Sequence, residues 1–410
     1  MAPRKDAISK KTVAKIEKLA ESVLKTVAGG KNPSLDIPVR SLANVKWSDK
    51  RRLVELGDQK QKRYFFNVSM AKKFMQTFLV SDACKELIES GKTTSIRDLY
   101  YMAKHTLGET RQNTFEDQDE SDPIIEDLEV TVDALREELH LFAARKGSMV
   151  GPITIVDSGD TIDLRRMGSG GWSVPSIVEE NVITFKKHEA KYVLLIEKDA
   201  VWTRFNEDKF WKRNSCIIVQ GGGQPPRGVR RLVQRLHHEL KLPVYVLVDN
   251  DPWGFYIFSV MKQGSINLAY ESMRMAVPDA RFIGLSSFDK DKYQIPNNVA
   301  IKMDDGDNTR AKQMLGYPWF KDDQVNFPGA TEEQGVCVGD HVAATLSMDA
   351  ARKIEKAEAE RARLRKALED AIEMVEHWGG YASDYFRDKH DLAGDLSRLR
   401  AELHAGPDDA

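Results

Sequence analysis

The chain has 410 residues, 41% of them hydrophobic and 30% charged, a composition typical of ordinary soluble globular proteins and a length that implies two or three domains. No uncharged apolar run approaches bilayer length, and the basic start MAPRKDAISKKTVAK lacks the apolar stretch of a secretory signal, so a membrane protein is excluded and the cytoplasm expected. The net charge of −2 does not decide on nucleic acid, and Cys84, Cys216 and Cys337, scattered without CxxC spacing, exclude a disulfide framework or zinc site and read as buried apolar residues.

Apolar periodicity over residues 8–27, followed by the breaker GGKNPS, predicts an appended helix and a linker, so 1–35 is read as a helical arm. Basic residues gather in that arm, in KWSDKRR, in QKQKR and in RGVRRLVQR. From Ser69 to Ser90 the helical spacing of Met70, Phe74, Phe78 and Leu79 predicts a helix, broken at Gly91-Lys92 before a second helix near Thr94. Helix, tight turn and helix form the skeleton of a DNA-reading helix-turn-helix, although most such pairs are only packing units.

The second helix, within TTSIRDLYYMAKHTLG, separates two adjacent tyrosines. Helical spacing places Tyr100 with Ile96, Leu99, Ala103 and Leu107 on an apolar face, and Tyr101 with Arg97, Lys104 and His105 on the other. A phenol, with an ordinary pKa of about 10, attacks a phosphodiester only when a base, a metal or cations stabilise the developing charge. Tyr101 is therefore the candidate nucleophile and Arg97 its electrostatic partner. Lys104 and His105, with Arg227, Arg230 and Arg231 from the later basic run, are the candidate DNA contacts.

After the acidic run EDQDESDPIIEDLE, a helix is expected over roughly 128–145, then a strand at PITIVD and a loop at MGSGGWSVPS. That loop lacks the Lys-Ser/Thr of a nucleotide-binding P-loop and reads as part of a connector, 151–190. From residue 191 the buried-type strands KYVLLIEK, SCIIVQG and LPVYVLVDND alternate with helices near 199–211, 227–240 and 253–268, which predicts a parallel α/β sheet. Asp304, Asp305 and Asp307 read as a helix cap and not as a calcium loop. Beyond about residue 330 two helices, 348–377 and one through Leu392 to Leu403, suggest a C-terminal hairpin.

In such a sheet functional side chains stand at the carboxyl ends of strands, where Glu197, Asp249 and Asp251 fall. Residues i and i+2 of an extended segment point the same way, so Asp249 and Asp251 can share a cation, and oxygen ligands without His or Cys favour Mg²⁺. An isolated DxDP is as readily a turn and cap. A strand-terminal Glu followed about fifty residues later by DxD, with QGGGQPPRG between, resembles the Toprim fold.

Longer strings resemble one family. RDLYYMAKHTLG, NTFEDQDESDPIIEDLEV, MGSGGWSVPSIVE, YVLLIEKDAV, GQPPRGVRRLV, VDNDPWGFYIFSV and KQGSINLAYES are similar, in order across roughly residues 36–320, to the A subunit of DNA topoisomerase VI, to which the meiotic double-strand-break protein is related. The resemblance implies a winged-helix (helix-turn-helix) domain over 36–150 and a Toprim domain over 191–330, which with the helical extension read over 331–410 makes an α/β and α+β multidomain chain. It implies that Tyr101 forms a 5′-phosphotyrosyl link, that Arg97 stabilises the phosphate, that Glu197, Asp249 and Asp251 hold Mg²⁺, and that Glu197 serves as acid or base in religation. It also implies an A-subunit homodimer on double-stranded DNA and a GHKL-type ATPase B subunit that binds the ATP, in an A2B2 heterotetramer of the cytoplasm and nucleoid. The chain departs from the family pattern at Gly222, where a lysine is usual, at Asn250, where Gly is common, and beyond residue 330. Three alternatives stay open: a magnesium-dependent hydrolytic Toprim nuclease, a recombination-initiating break protein without strand passage, and a DNA-binding scaffold with structural acids.

Overall fold

The computed structural model describes residues 3–284 and 303–320, so the expected C-terminal extension and Cys337 lie outside the described residues. The first part of the chain runs α1 (Pro3–Ala28), β1 (Ser34–Pro38), β2 (Val45–Ser48), β3 (Leu53–Leu56), β4 (Lys60–Tyr64), α2 (Val68–Glu89), β5 (Thr94–Ser95), α3 (Ile96–Ala103), α4 (Gln118–Thr131) and β6 (Leu141–Phe142). The strands are short ribbons, β1 with β4 and β2 with β3 antiparallel and β5 with β6 parallel. A core of Ile16, Val80, Cys84, Leu87, Leu99, Phe115, Ile125 and Leu128 joins α1, α2, α3 and α4.

α1 and α2 form where their apolar spacing predicts. The helix expected over 128–145 is displaced, occupying 118–131 instead. Asp117 caps this helix by accepting from the Glu120 N–H, and Asp119 and Glu120 sit in the first turn where the helix dipole favours them, with Pro123 accommodated inside it.

Next come β7 (Ser148–Val150), β8 (Ile153–Asp157), β9 (Asp160–Asp163), β10 (Trp172–Ser173) and β11 (Ile183–His188). The stretch expected to be a connector thus contains the three-stranded antiparallel sheet β11-β8-β9. Then follow β12 (Tyr192–Ile196), α5 (Asp199–Glu207), α6 (Phe210–Arg213), β13 (Cys216–Gln220), α7 (Arg227–Leu240), β14 (Val244–Leu247), α8 (Pro252–Gln263), α9 (Ser272–Met275), β15 (Arg281–Ile283) and a helix Asp305–Leu315. The six-stranded sheet has the order β10-β7-β13-β12-β14-β15, with the expected parallel pairing from β13 through β15. At its other edge β7 and β10, from upstream of residue 191, pair antiparallel.

The sheet is apolar on both faces, as strands covered by helices on both sides must be. Val193, Leu195, Ile217, Val219, Val244 and Val246 pack with α7 and α8, while Leu194, Ile196, Cys216, Ile218 and Tyr245 pack with Trp202, Phe205, Phe210 and Trp211 from α5 and α6. Asp304 caps the last described helix in a reciprocal capping box with Asp307, and no described helix is long and apolar enough to cross a membrane.

Between the N-terminal helices and the sheet unit lies one buried carboxylate. Glu129 of α4 accepts from Arg136 at 2.6 Å, from Arg227 of α7 at 2.9 Å and from the Tyr270 hydroxyl at 2.7 Å. Burial pushes the Glu129 carboxyl upward, but Arg227, Arg136 and the Tyr270 hydrogen bond outweigh it and hold the group below its ordinary value. Replacing one partner of such a cluster strands the other charges in a dry site. Glu129→Ala is expected to destabilise the chain by about 3–5 kcal/mol, read as a lower urea midpoint. A change under about 1 kcal/mol would show that the cluster contributes no more than an exposed pair.

Candidate active site

Two surfaces bear the candidate chemistry. On α3, Ser95 caps the helix by accepting from the Asp98 N–H, and Leu99, Tyr100 and Ala103 are buried. Tyr101, on the opposite face, is 59% exposed, and its hydroxyl makes no hydrogen bond among the described residues. Its ring lies against that of Tyr100, with centroids 4.9 Å apart. The Tyr100 hydroxyl donates to the Glu116 carbonyl at 2.9 Å and accepts from Lys104 Nζ at 2.8 Å. Arg97, one turn before Tyr101, is exposed and forms no ion pair among the described residues.

Sequence spacing placed Lys104 and His105 beside Tyr101, which requires the helix to continue. It ends at Ala103, and Lys104 is already extended. Lys104 Nζ therefore turns back to Tyr100 and the Glu116 carbonyl, and the His105 N–H is held by Thr114 Oγ1 at 2.8 Å. Lys104 thus braces Tyr100, while it remains within electrostatic reach of Tyr101.

The second surface is the carboxyl edge of the parallel sheet. Glu197 directly follows β12, and its N–H donates to the Leu247 carbonyl of β14. Asp249 stands just past β14 and donates its N–H to Glu197 Oε2 at 3.2 Å. Asp251 caps α8, its Oδ1 accepting from the Gly254 N–H at 2.6 Å, so the cap reading of DxDP is realised alongside the strand-end placement. Gly254 lets this turn close: a Cβ there would stand 2.2 Å from the Asp249 carbonyl oxygen.

The edge is electrostatically loaded. The Glu197 carboxyl lies above its ordinary value, first because it is half-buried and then because Asp249 and Asp251 repel its charge, the Asp249 N–H and Lys198 opposing them. Among the described residues no three His, Cys, Asp or Glu side chains gather into a closed ligand set, so an ion shared by all three acids requires them to turn toward it. As an open, oxygen-only and mutually repelling donor group, they suit a hard divalent cation.

Several neighbours escape a reading of the sequence alone. Lys198 lies 3.7 Å from Asp249, and Arg310 stacks over Trp253 and Tyr256 at 4.3 and 4.5 Å, bracing the start of α8. Lys146 reaches Gly222, its Cε 3.2 Å from a Cβ built there, so a lysine from another segment occupies the turn where the resembling family carries its own. That contact arises because Ser148 pairs with Gln220, which no local pattern announces. Adjacency to Glu197 was the one available signal for Lys198.

The arginines of α7, expected to contact DNA, are engaged within the chain. Arg227 binds Glu129 and Glu271, Arg231 binds Glu179, and Arg230 is 4% exposed. The basic run is amphipathic, and its charges turn inward to the acids of neighbouring elements.

Comparison with known proteins adds to this geometry. Residues 192–333 match the family model for the Toprim domain of the topoisomerase 6 A-subunit/Spo11 group, residues 72–141 match Type IIB DNA topoisomerase, and residues 146–189 match the All-beta domain in DNA topoisomerase VI alpha subunit. The chain is 46% identical over 322 residues to the type 2 DNA topoisomerase 6 A subunit of Pyrococcus horikoshii, covering 76% of this chain and 84% of the relative. It is 42% identical over 328 residues to that of Hyperthermus butylicus, covering 76% and 84%. It is 33% identical over 319 residues to the DNA topoisomerase 6 A3 subunit of Oryza sativa, covering 78% and 70%.

The raised Glu197 carboxyl predicts a pH dependence. A folded-state value above the unfolded one, about 4.3 for glutamate, costs stability as pH rises through that range and nothing below it. Without divalent cation, Glu197→Gln should melt higher than the parent chain at pH 7, and the gap should close as the pH falls toward 4. An equal gap at both pH values would remove the charge explanation.

Proposed function

The chain belongs to the family of type 2 DNA topoisomerase 6 A subunits, and from that premise we propose that it is the DNA-cleaving subunit of a type IIB DNA topoisomerase with Tyr101 as its nucleophile. The observation that carries the residue assignment is the split between the tyrosines: Tyr100 is buried and doubly hydrogen-bonded, while the Tyr101 hydroxyl is exposed and uncommitted.

In this reading the Tyr101 oxygen attacks a backbone phosphorus, the Tyr–O–P bond forms and the bond from phosphorus to the 3′-oxygen breaks. The phenol loses a proton and the departing oxygen gains one. A phosphodiester is exchanged for a phosphotyrosyl diester, so the 3′-hydroxyl can reverse the step and reseal the strand without outside energy. Arg97, one turn away and free of other acids, stabilises charge on the phosphate in flight. Glu197, Asp249 and Asp251 would hold Mg²⁺, which when bound supplies positive charge beside the cleaved backbone. The proximity of Glu197 to Asp249, and its raised carboxyl, suit it to hold a proton during religation.

Tyr101 stands on α3 and the three acids at the carboxyl edge of the parallel sheet, on separate surfaces of the chain. The reading includes a homodimer in which one copy's tyrosine meets the other copy's acids, so that both strands of a duplex are cut. The same reading assigns ATP to a separate GHKL-type B subunit in an A2B2 assembly acting at the nucleoid. It treats α2, α3 and α4 as the helices of a winged-helix domain and retains the division at residues 35, 150, 190 and 330.

Covalent trapping tests the proposal. With duplex DNA, Mg²⁺ and the ATPase partner, denaturation should leave protein on 5′ ends, at least about a hundredfold less in Tyr101→Phe and undiminished in Tyr100→Phe. Free ends without adduct, lost in Asp249→Ala but kept in Tyr101→Phe, would make the chain a hydrolytic nuclease.

A further inference from the structure

A cavity of about 430 Å³ lies where α4 and its following turns meet α7 and α9. Its volume falls within the range of small-molecule sites, and five guanidinium groups line it beside four carboxylates, those of Glu126, Glu137, Glu179 and Glu271. Four of the guanidinium groups are already paired: Arg136 with Glu129, Arg227 with Glu129 and Glu271, Arg231 with Glu179, and Arg274 with Glu137 and Glu179. The fifth, Arg230, is 4% exposed, and its Nε has no hydrogen-bond partner among the described residues.

Two further features point the same way. α7 begins at this wall with no side-chain cap, and its first intrahelical bond is the Arg230 N–H to the Pro226 carbonyl. The N–H groups of Arg227, Gly228 and Val229 therefore have no partner inside the helix, and the helix dipole favours an anion there. Glu271, 1% exposed, binds Arg227 through Oε1, while its Oε2 is buried with no donor among the described residues. Leaving a guanidinium nitrogen and a carboxylate oxygen both unpaired and dry is costly. Burial and the neighbouring Arg227 draw the Arg230 guanidinium down to about 10.

We propose that this cavity binds a phosphate monoester or inorganic hydrogenphosphate, whose oxygens accept from Arg230 and the open start of α7 and whose remaining P–OH donates to Glu271 Oε2. The complementarity is chemical as well as electrostatic. A fully deprotonated tetrahedral anion such as sulfate satisfies Arg230 but presents only lone pairs to Glu271. Since Glu126, Arg136 and Glu137 come from the unit that bears Tyr101, and Arg230, Glu271 and Arg274 from the unit that bears the acids, the ligand would clamp the two together. The site is independent of the Tyr101 assignment.

The test is a thermal melt and calorimetric titration of the full chain at constant ionic strength, with inorganic phosphate, sulfate or AMP as ligand. Phosphate should raise the midpoint saturably at millimolar concentration, with sulfate about tenfold weaker or worse for lack of the bond to Glu271. Arg230→Gln, which removes a buried lone charge, should fold and lose the phosphate response. Equal, non-saturating shifts with phosphate and sulfate, or a phosphate response retained by Arg230→Gln, would overturn the proposal. The phosphate-to-sulfate comparison stands on the parent chain even if the variant fails to fold. Competition by AMP identifies a free monoester as the natural occupant. Competition only by a duplex carrying a 5′-phosphate, and not by its 5′-hydroxyl counterpart, identifies a strand end.

Discussion

The Glu129 carboxylate is the constraint on which the rest of the molecule hangs. It belongs to α4, yet two of its three donors, Arg227 and Tyr270, belong to the sheet unit. The cost of drying a carboxylate is large enough that the three donors must arrive together or not at all. The helices carrying Tyr101 and the sheet carrying the acids are therefore placed relative to one another by a polar cluster, and not by apolar contact alone. The pairs Arg274 with Glu137 and Arg40 with Asp127 reinforce the same pattern of charge satisfied at a distance in sequence.

At the sheet edge the balance is reversed. Parallel pairing brings Glu197 and Asp249 onto adjacent strands, and the turn into α8 adds Asp251 with too few cations to neutralise them. Lys198 is close, but it and Asp249 are both well exposed, so that pair offsets little of the repulsion. Stability is thus spent at one end of the molecule on a site that is better off binding something, while the Glu129 cluster holds the frame rigid. The Asp251 cap ties the two concerns together, because the same side chain that faces the acidic edge also starts the helix that packs beneath it.

Much of this was legible in the sequence. The strands around Leu194, Ile218 and Val246 are short unbroken apolar runs rich in Val and Ile, the pattern of a sheet covered on both sides. Tyr100 and Tyr101 were separable by helical spacing because α3 is amphipathic over its whole length. Where local pattern failed, the deciding forces were long-range or terminal. The end of α3 at Ala103 was invisible because Lys104 is a good helix residue and His105 no helix breaker, and their fate is set by Glu116 and Thr114. The α7 arginines looked like a DNA-facing run, since their acidic partners lie some 40 to 100 residues away in sequence, as with Arg227 and Glu129. The helix at 118–131 was masked by a proline and acids that its own cap and dipole accommodate.

The β2–β3 hairpin has a consequence for how the chain comes to be folded. Though it precedes the Tyr101 helix, Val54 is buried in the core of the sheet unit, Val45, Trp47 and Leu56 pack against that core, and Arg52 pairs with Asp279. That last partner is translated 227 residues later. During synthesis from the N-terminus these apolar side chains stay uncovered while the first helices can already assemble, which leaves a sticky intermediate whose burden falls on chaperones or on the speed of elongation.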